Sequence, residues 1–581
     1  MKENFYVTTP IYYWNGLPHV GHFYSSTIAN TIHKFNKISW KNSRFTTGID
    51  ENSQKAVIKA EEAWVDIMEY LDNMALEHKK VWDHFNFDYT DFIRTTSDRH
   101  HEVVWNVLQH CYDKWDVYEW EYEWMYCVWC EAFKKDEDLV FMNKTSLDTF
   151  PISDKVKVSD NIIKVCPDHL KTPDSIKEKN YFFKLTKYQT WLEEFFNANP
   201  EFVNPDFRFN EVKAFVCRWL EDFSISRETN NFGIKLPFDD SQVTYVWFDA
   251  LFNYYTSCLK SRGWDKNNES FIDEKWLWIR DENNKWKVLH VVWKDIIRFH
   301  AIFWPAMLAS YFDLGKEIDW VLHFDKEKDL KFLPDEILAW WFFTVDWQKM
   351  SKSIWNVIEP VEYSKKYNKE LLTLYMLSAF SIWRDWDYDR KDAILNYNAK
   401  LANNFWNLLN RAVVLTLKLK LEDWLKAEIS ERFKWYNIKY SKDTSKSEIS
   451  DFKWWIFEYN TFFDSFMWLN NLKLSLDLTF RFLDEVNLYV TEKEPWTLMK
   501  DDSKKEEVEE IMYTICESLR NVSMNLYPFF PEKMTEVFES LALSNYPDRL
   551  EKWLLDELRN EKVTYNIVKK APILFEKFDI D

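Results

Sequence analysis

At 581 residues, 46% apolar and 29% charged, the chain exceeds what one hydrophobic core serves, so several structural units in a water-soluble protein are expected. No run of eighteen apolar residues marks a membrane span and the opening MKENFYVTTP lacks a signal-peptide core, so the expectation is a cytoplasmic protein with no membrane partner. The formal charge of −20 disfavours indiscriminate binding to phosphate backbones but leaves room for a shaped RNA held by a small basic surface and a few loops.

In chain order, Phe5 to Thr9 alternates apolar and β-branched residues and predicts a strand; Asn15, Gly16 and Pro18 predict a turn; Phe23 to Phe35 carries a helical pattern. A second strand, Ser43 to Thr47, ends at Gly48-Ile49-Asp50, where a loop presents a carboxylate beside the first loop. This is how a parallel α/β sheet begins. Lys114 to Gln189 breaks into short aromatic-rich pieces that read as an insertion, and the α/β rhythm resumes near Val243 to Val246 and Lys287 to Val292. Beyond Lys391 the strand signals fade, while Leu469, Leu472, Leu476 and Leu483 repeat at helical spacing and predict a bundle, with Lys442 to Ser450 as a long loop within it.

Two segments carry chemistry. His19-Val20-Gly21-His22 stands at the start of the first helix, where imidazoles three positions apart share a face and the free N–H groups and positive dipole end favour polyphosphate. Lys349-Met350-Ser351-Lys352-Ser353 puts two ammonium groups on a polar loop able to close over a triphosphate and neutralise charge on the leaving pyrophosphate. Singly, each reads as capping histidines or a solvated lysine loop. A third cluster, Cys127-x2-Cys130 with Cys166-x2-His169, has the spacing of a closed tetrahedral zinc site, and the odd total of seven cysteines argues against a secreted disulfide framework.

Together the first two segments resemble the HIGH and KMSKS signatures of class I aminoacyl-tRNA synthetases. Phe5 to Tyr13, Asn15 to His19, Thr47 to Glu51, Tyr245 to Ala250, Lys294-Asp295-Ile296, Phe299-His300 and Pro495-Trp496 narrow the resemblance to the methionyl-tRNA synthetase family. It implies a Rossmann-like α/β catalytic domain in two halves, 1–114 and 237–330, separated by a connective insertion with a zinc knuckle at 115–236. A KMSKS and stem-contact region at 331–390 and a C-terminal helical anticodon-binding domain at 391–581 would follow. The implied activity is ATP-dependent ligation of methionine to initiator and elongator tRNA(Met). His19, His22, Lys349 and Lys352 would be catalytic, and Gly21, Lys294, Asp295, Met350, Ser351 and Ser353 would also hold ATP and its magnesium. Ile11, Tyr13, Asp50, Trp247, Ala250, Tyr254 and His300 would form the methionine pocket, since aromatic and aliphatic walls suit a thioether and a buried carboxylate needs a cation such as the substrate ammonium. Asn407, Arg411 and Trp496 match anticodon-reading positions. The family's His-Gly after Asp50-Glu51 is replaced by Asn52-Ser53, so that histidine's role does not transfer. With no clear appended oligonucleotide-binding domain after the bundle, a monomer is expected.

Thirty-three tryptophans against six glycines invert the ordinary ratio. Trp115, Trp120, Trp124, Trp129, Trp219, Trp293, Trp347, Trp386 and Trp406 stand where the family carries glycine, with Trp341, Trp355 and Trp383 as further candidates, whereas Trp82, Trp247, Trp304 and Trp496 read as genuine and Trp14 is undecided. The expectation is that many of these letters record a codon its source reads as glycine. Taken literally, they would overpack the fold and favour a catalytically inactive tRNA-binding relative.

Overall fold

In the computed structural model the described residues run from 3 to 580, apart from 128–131, 135–138, 147, 152–160, 168–169, 229–231, 260–285, 341–342, 346–347, 350–357, 379–385, 420–435, 440–450 and 455. Seven parallel strands build the central sheet: β1 (Asn4–Thr8), β2 (Tyr12–Tyr13), β3 (Asn42–Asp50), β4 (Asp91–Arg94), β5 (Val203–Asn204), β6 (Trp286–Trp293) and β7 (Glu336–Trp340). The order is β5-β7-β6-β1-β3-β2, with β4 also paired to β3. The chain proceeds from β1 to one side through β3 and β4 and returns to the other side as β5, β6 and β7, so the order reverses at β1. In open α/β sheets the crevice beyond the carboxyl ends at such a reversal is where ligands bind.

The period-2 pattern of β1 divides its side chains between two cores. Phe5 and Val7 join Leu289 and Val291 of β6 in one cluster, against helix α1 (Val20–Ile38) and the C-terminal helices, while Tyr6 joins Val288 and Val292 in the other. Almost every residue of α1 is buried, because the helix is clasped between sheet and C-terminal helices rather than lying on the surface. Gly48 has a steric reason: a Cβ there would run into the Ile93 carbonyl oxygen of β4.

The insertion is antiparallel. Val117–Cys127 pairs with Asp174–Phe183 and with Ala132–Lys134, and a separate three-stranded sheet joins Val140–Asn143, Thr149–Pro151 and Ile162–Val165. Two sequence expectations are corrected here. Val243 and Thr244 end an antiparallel strand, Asp239–Thr244, outside the parallel sheet, and Val246 already begins a helix; a short β-branched run does not reveal which sheet it joins. Within the C-terminal third, Tyr436–Lys439 and Asp451–Trp454 pair as a hairpin among the helices, and the loop expected at Lys442 to Ser450 lies outside the described residues. The leucine spacing does correspond to a helix, Leu472–Lys493. No helix among the described residues is long and apolar enough to cross a membrane.

Candidate active site

His19 caps α1. Its Nδ1 accepts from the Gly21 amide at 3.0 Å, its own amide donates to His22 Nδ1 at 3.3 Å, and the two imidazoles stack with centroids 3.9 Å apart. The reciprocal bonds satisfy amides that a helix start leaves without intrahelical partners. They also hold both rings at the positive end of the helix dipole, at the sheet's reversal point. Tyr12, fully buried on β2, supports this pair: its ring lies 4.6 Å from His22 and its hydroxyl donates to the His22 carbonyl at 3.2 Å.

The lysine segment begins on a separate small sheet. Gln348–Lys349 pairs with Phe343–Val345, in the register Thr344 to Lys349; Met350, Ser351, Lys352 and Ser353 lie outside the described residues. Where the chain is described again, the Ile358 carbonyl accepts from the Val20 amide at 3.0 Å. The backbone that leaves the lysine segment therefore closes onto the first turn of α1, between the two histidines.

The carboxyl ends of β3 and β6 and the helices after them form a drier wall. Tyr13 and Asp50 are register partners across β2 and β3, and Asp50 is buried. The turn after Asp50 is anchored by Glu51, whose buried carboxylate meets Arg94 at 2.9 Å. On the opposite flank Trp247 stacks on Phe299 at 3.8 Å and 5°, and the Tyr254 hydroxyl meets His300 Nε2 at 2.6 Å. Burial lowers His300 to about 4, so it is a neutral imidazole at physiological pH, with Nδ1 2.9 Å from the Ile296 carbonyl. Ala250 is buried on the helix Val246–Leu251, Ile11 is half-buried, and Lys294-Asp295 starts the short helical turn directly after β6.

Two features escaped the sequence reading. Tyr12 was passed over between Ile11 and Tyr13, although strand alternation distinguishes it from both neighbours. Asn52 Nδ2 donates to Asp249 Oδ2 at 2.6 Å, joining the loop after β3 to the helix that carries Trp247 and Ala250; Asp249 is fully buried and burial raises its carboxyl above the ordinary range. No local sequence signal links residues 197 positions apart.

Of the metal candidates, Cys127 and Cys166 are buried, Cys127 where its strand pairs back through Ala132, and Cys166 at a turn closed by the Leu170 amide on its carbonyl at 2.8 Å. Cys130 and His169 lie outside the described residues. Asn407 and Arg411 are both exposed on the helix Trp406–Lys418, and Trp496 is partly exposed at the start of Pro495–Leu498.

The family model described as tRNA synthetases class I (M) matches residues 5–413 and makes the chain a class I tRNA synthetase, a class whose parallel sheet and helix at the reversal point are present here. The methionine–tRNA ligase of Fusobacterium nucleatum is 34% identical over 550 residues, 94% of this chain and 75% of that protein. That of Bacillus subtilis is 31% identical over 588 residues, 100% of this chain and 79% of that protein. Mycobacterium tuberculosis methionyl-tRNA synthetase in complex with methionyl-adenylate has the same fold with a TM-score of 0.79 at 25% identity, over 99% of this chain and 100% of that one. The chain belongs to the methionyl-tRNA synthetase family and is an ATP-dependent methionine–tRNA ligase. The inactive alternative finds no support among these relatives.

Proposed function

We propose that the ligase works in two steps at the sheet edge: methionine's carboxylate attacks the α-phosphate of ATP, giving methionyl-adenylate and pyrophosphate, and a terminal ribose hydroxyl of tRNA(Met), initiator or elongator, then takes the methionyl group. No enzyme nucleophile is needed. His19, Gly21 and His22 receive the phosphates at the helix start, Lys349 and Lys352 neutralise charge on the leaving pyrophosphate, and Met350, Ser351 and Ser353 shape that loop; Lys294 and Asp295 flank the nucleotide. Magnesium arrives bound to ATP, as part of the substrate, and shares its phosphate charge. The observation that carries this reading is the bond from the Val20 amide to the Ile358 carbonyl at 3.0 Å, which ties the chain beyond the lysine segment to the histidine turn.

Asp50 holds the substrate ammonium, and Ile11, Tyr13, Trp247, Ala250, Tyr254 and His300 wall the side chain. Tyr254 and neutral His300 supply one weak polar contact for sulfur, and the aromatic faces supply its bulk. Cys127, Cys130, Cys166 and His169 would hold one zinc ion, whose thiolate-rich closed shell fixes the insertion's fold and leaves no catalytic position. Two buried cysteines, each at a chain reversal, fit that role. Asn407, Arg411 and Trp496 read the anticodon, the indole by stacking on an unstacked base. The organisation at 1–114, 115–236, 237–330, 331–390 and 391–581 follows from these roles, in a cytoplasmic monomer. Methionine-dependent ATP–pyrophosphate exchange tests the reading. His22→Ala and Lys352→Ala should each lower exchange while methionine still binds, and undiminished exchange in either would overturn it.

A further inference from the structure

Thirteen non-glycine residues with positive φ occur among the described residues, and five of them are tryptophan: Trp40, Trp64, Trp115, Trp219 and Trp320. At the chain's own frequency, 33 tryptophans in 581 residues, fewer than one would be expected. A bulky side chain is an outlier in this region of backbone space, whereas glycine enters it freely.

Three of the five end helices in one motif. The Trp40 amide bonds the Lys37 carbonyl and the Lys41 amide that of Asn36; Trp64 and Val65 bond Glu61 and Ala60; Trp115 and Asp116 bond Tyr112 and Cys111. These paired bonds place each tryptophan at the left-handed position that glycine dominates. The same motif closes elsewhere on Asn86, Asp313, Asn470 and Ala542, small residues more readily tolerated there. Trp219 follows a fourth helix end, with φ of 70°. Trp320 comes after Asp319 in the two-residue loop joining Lys316–Ile318 to Val321–His323, and both loop residues have positive φ. That geometry belongs to the hairpin turn for which Asp-Gly is a preferred pair.

Four of the five side chains stand mostly in solvent. Trp64, Trp115, Trp219 and Trp320 are 93%, 76%, 81% and 94% exposed. Three tryptophans differ from them in every respect: Trp14, Trp191 and Trp304 are buried, lack positive φ, and bond their indole N–H to Ser53, Asp329 and His290. Trp293 is a separate case. Its backbone is extended, but its indole stands 6.4 Å from both the Tyr12 and His22 rings, in space beside the signature histidine.

We propose that Trp40, Trp64, Trp115, Trp219 and Trp320 are glycine in the protein its own cell makes, through a codon read there as glycine, and that Trp293 is glycine too, leaving that space to substrate. Backbone geometry carries the first part independently of any resemblance, and adds Trp40, Trp64 and Trp320 to the positions that the sequence flagged. Trp120 and Trp406 lie in strand and helix, where φ does not demand glycine.

Peptide mass mapping of enzyme purified from its source cells tests this without reference to activity. Peptides across the five turns and across position 293 should carry glycine, and peptides across 82, 191 and 304 should carry tryptophan. In the gene, one codon should serve the first group and another the second. Tryptophan at the five turns, or a single codon shared by both groups, overturns the proposal. For position 293, the recombinant enzyme with glycine at the five turns is compared with and without Trp293→Gly. A tenfold or greater gain in methionine-dependent pyrophosphate exchange on adding the substitution supports the space argument, and equal exchange refutes it.

Discussion

Two buried polar clusters in this molecule are built on opposite principles. In the C-terminal third, Arg520 is wholly buried beside Glu517 and also donates to the Tyr546 hydroxyl at 3.0 Å and the Arg559 carbonyl at 2.9 Å, while Glu517 further accepts from Tyr565 and from Asn521. Every charge there is met. Beside the carboxyl ends of the central strands, Asp249 is equally buried, yet its Oδ1 and the Oδ1 of its partner Asn52 have no hydrogen-bond partner among the described residues. A saturated buried network serves the fold; polar atoms left unmet at a ligand crevice cost stability until something binds.

The contrast is broken most directly at Arg520. Arg520→Ala should cost about 3–5 kcal/mol in denaturant unfolding, because Glu517 would stay buried without its cation, while exchange per folded molecule is unchanged. His22→Ala should do the reverse, lowering exchange by roughly 10²–10³ with little change in the unfolding midpoint. Smaller is Asn52→Ala, which strips the donor from Asp249; an unpaired buried acceptor is worth about 1–3 kcal/mol, so the KM for methionine should rise by about 5- to 150-fold with that for ATP nearly constant. Equal effects on both constants would make Asn52 a general scaffold residue instead.

The smallest effect on activity is in pH. His300 is held to about 4 and His100 to about 3 by burial, against an ordinary value of 6.5. Between these values the unfolded chain takes up protons that the native chain refuses, so stability should fall as pH drops from about 6.5 towards 4. The ring resonances of His300 should stay those of a neutral imidazole from about pH 8 to 5 and move only below that; a titration near 6.5 would mean that His300 behaves as an exposed imidazole.

Much of this was legible in the residues. The strand at Phe5 and the helix through Phe23 and Phe35 follow from periodicity and turn chemistry: the strand lies one residue earlier, at Asn4–Thr8, and the helix is longer, at Val20–Ile38; the loop expected at Gly48-Ile49-Asp50 is instead the end of the strand Asn42–Asp50, because these residues pair with the neighbouring strands on both sides. Long-range pairing was not legible. Val243 carries the same β-branched signal as Val288, but one joins an antiparallel sheet and the other the central parallel one, a choice made by tertiary partners. The Asn52–Asp249 bond and the closure of Ile358 onto Val20 belong to that class too. The tryptophans show a third limit. The sequence predicted overpacking, whereas four of the five turn positions point the indole into solvent and place the strain in the backbone.

The central claim is that the histidine turn and the lysine loop act on one triphosphate. A double-mutant cycle in methionine-dependent ATP–pyrophosphate exchange, with His22→Ala, Lys352→Ala and both together, measures it. Shared action predicts that the double variant loses clearly less than the product of the single losses, since the second substitution acts on a transition state already deprived of its grip. Strictly multiplicative losses, or a single variant with full exchange, would contradict the account.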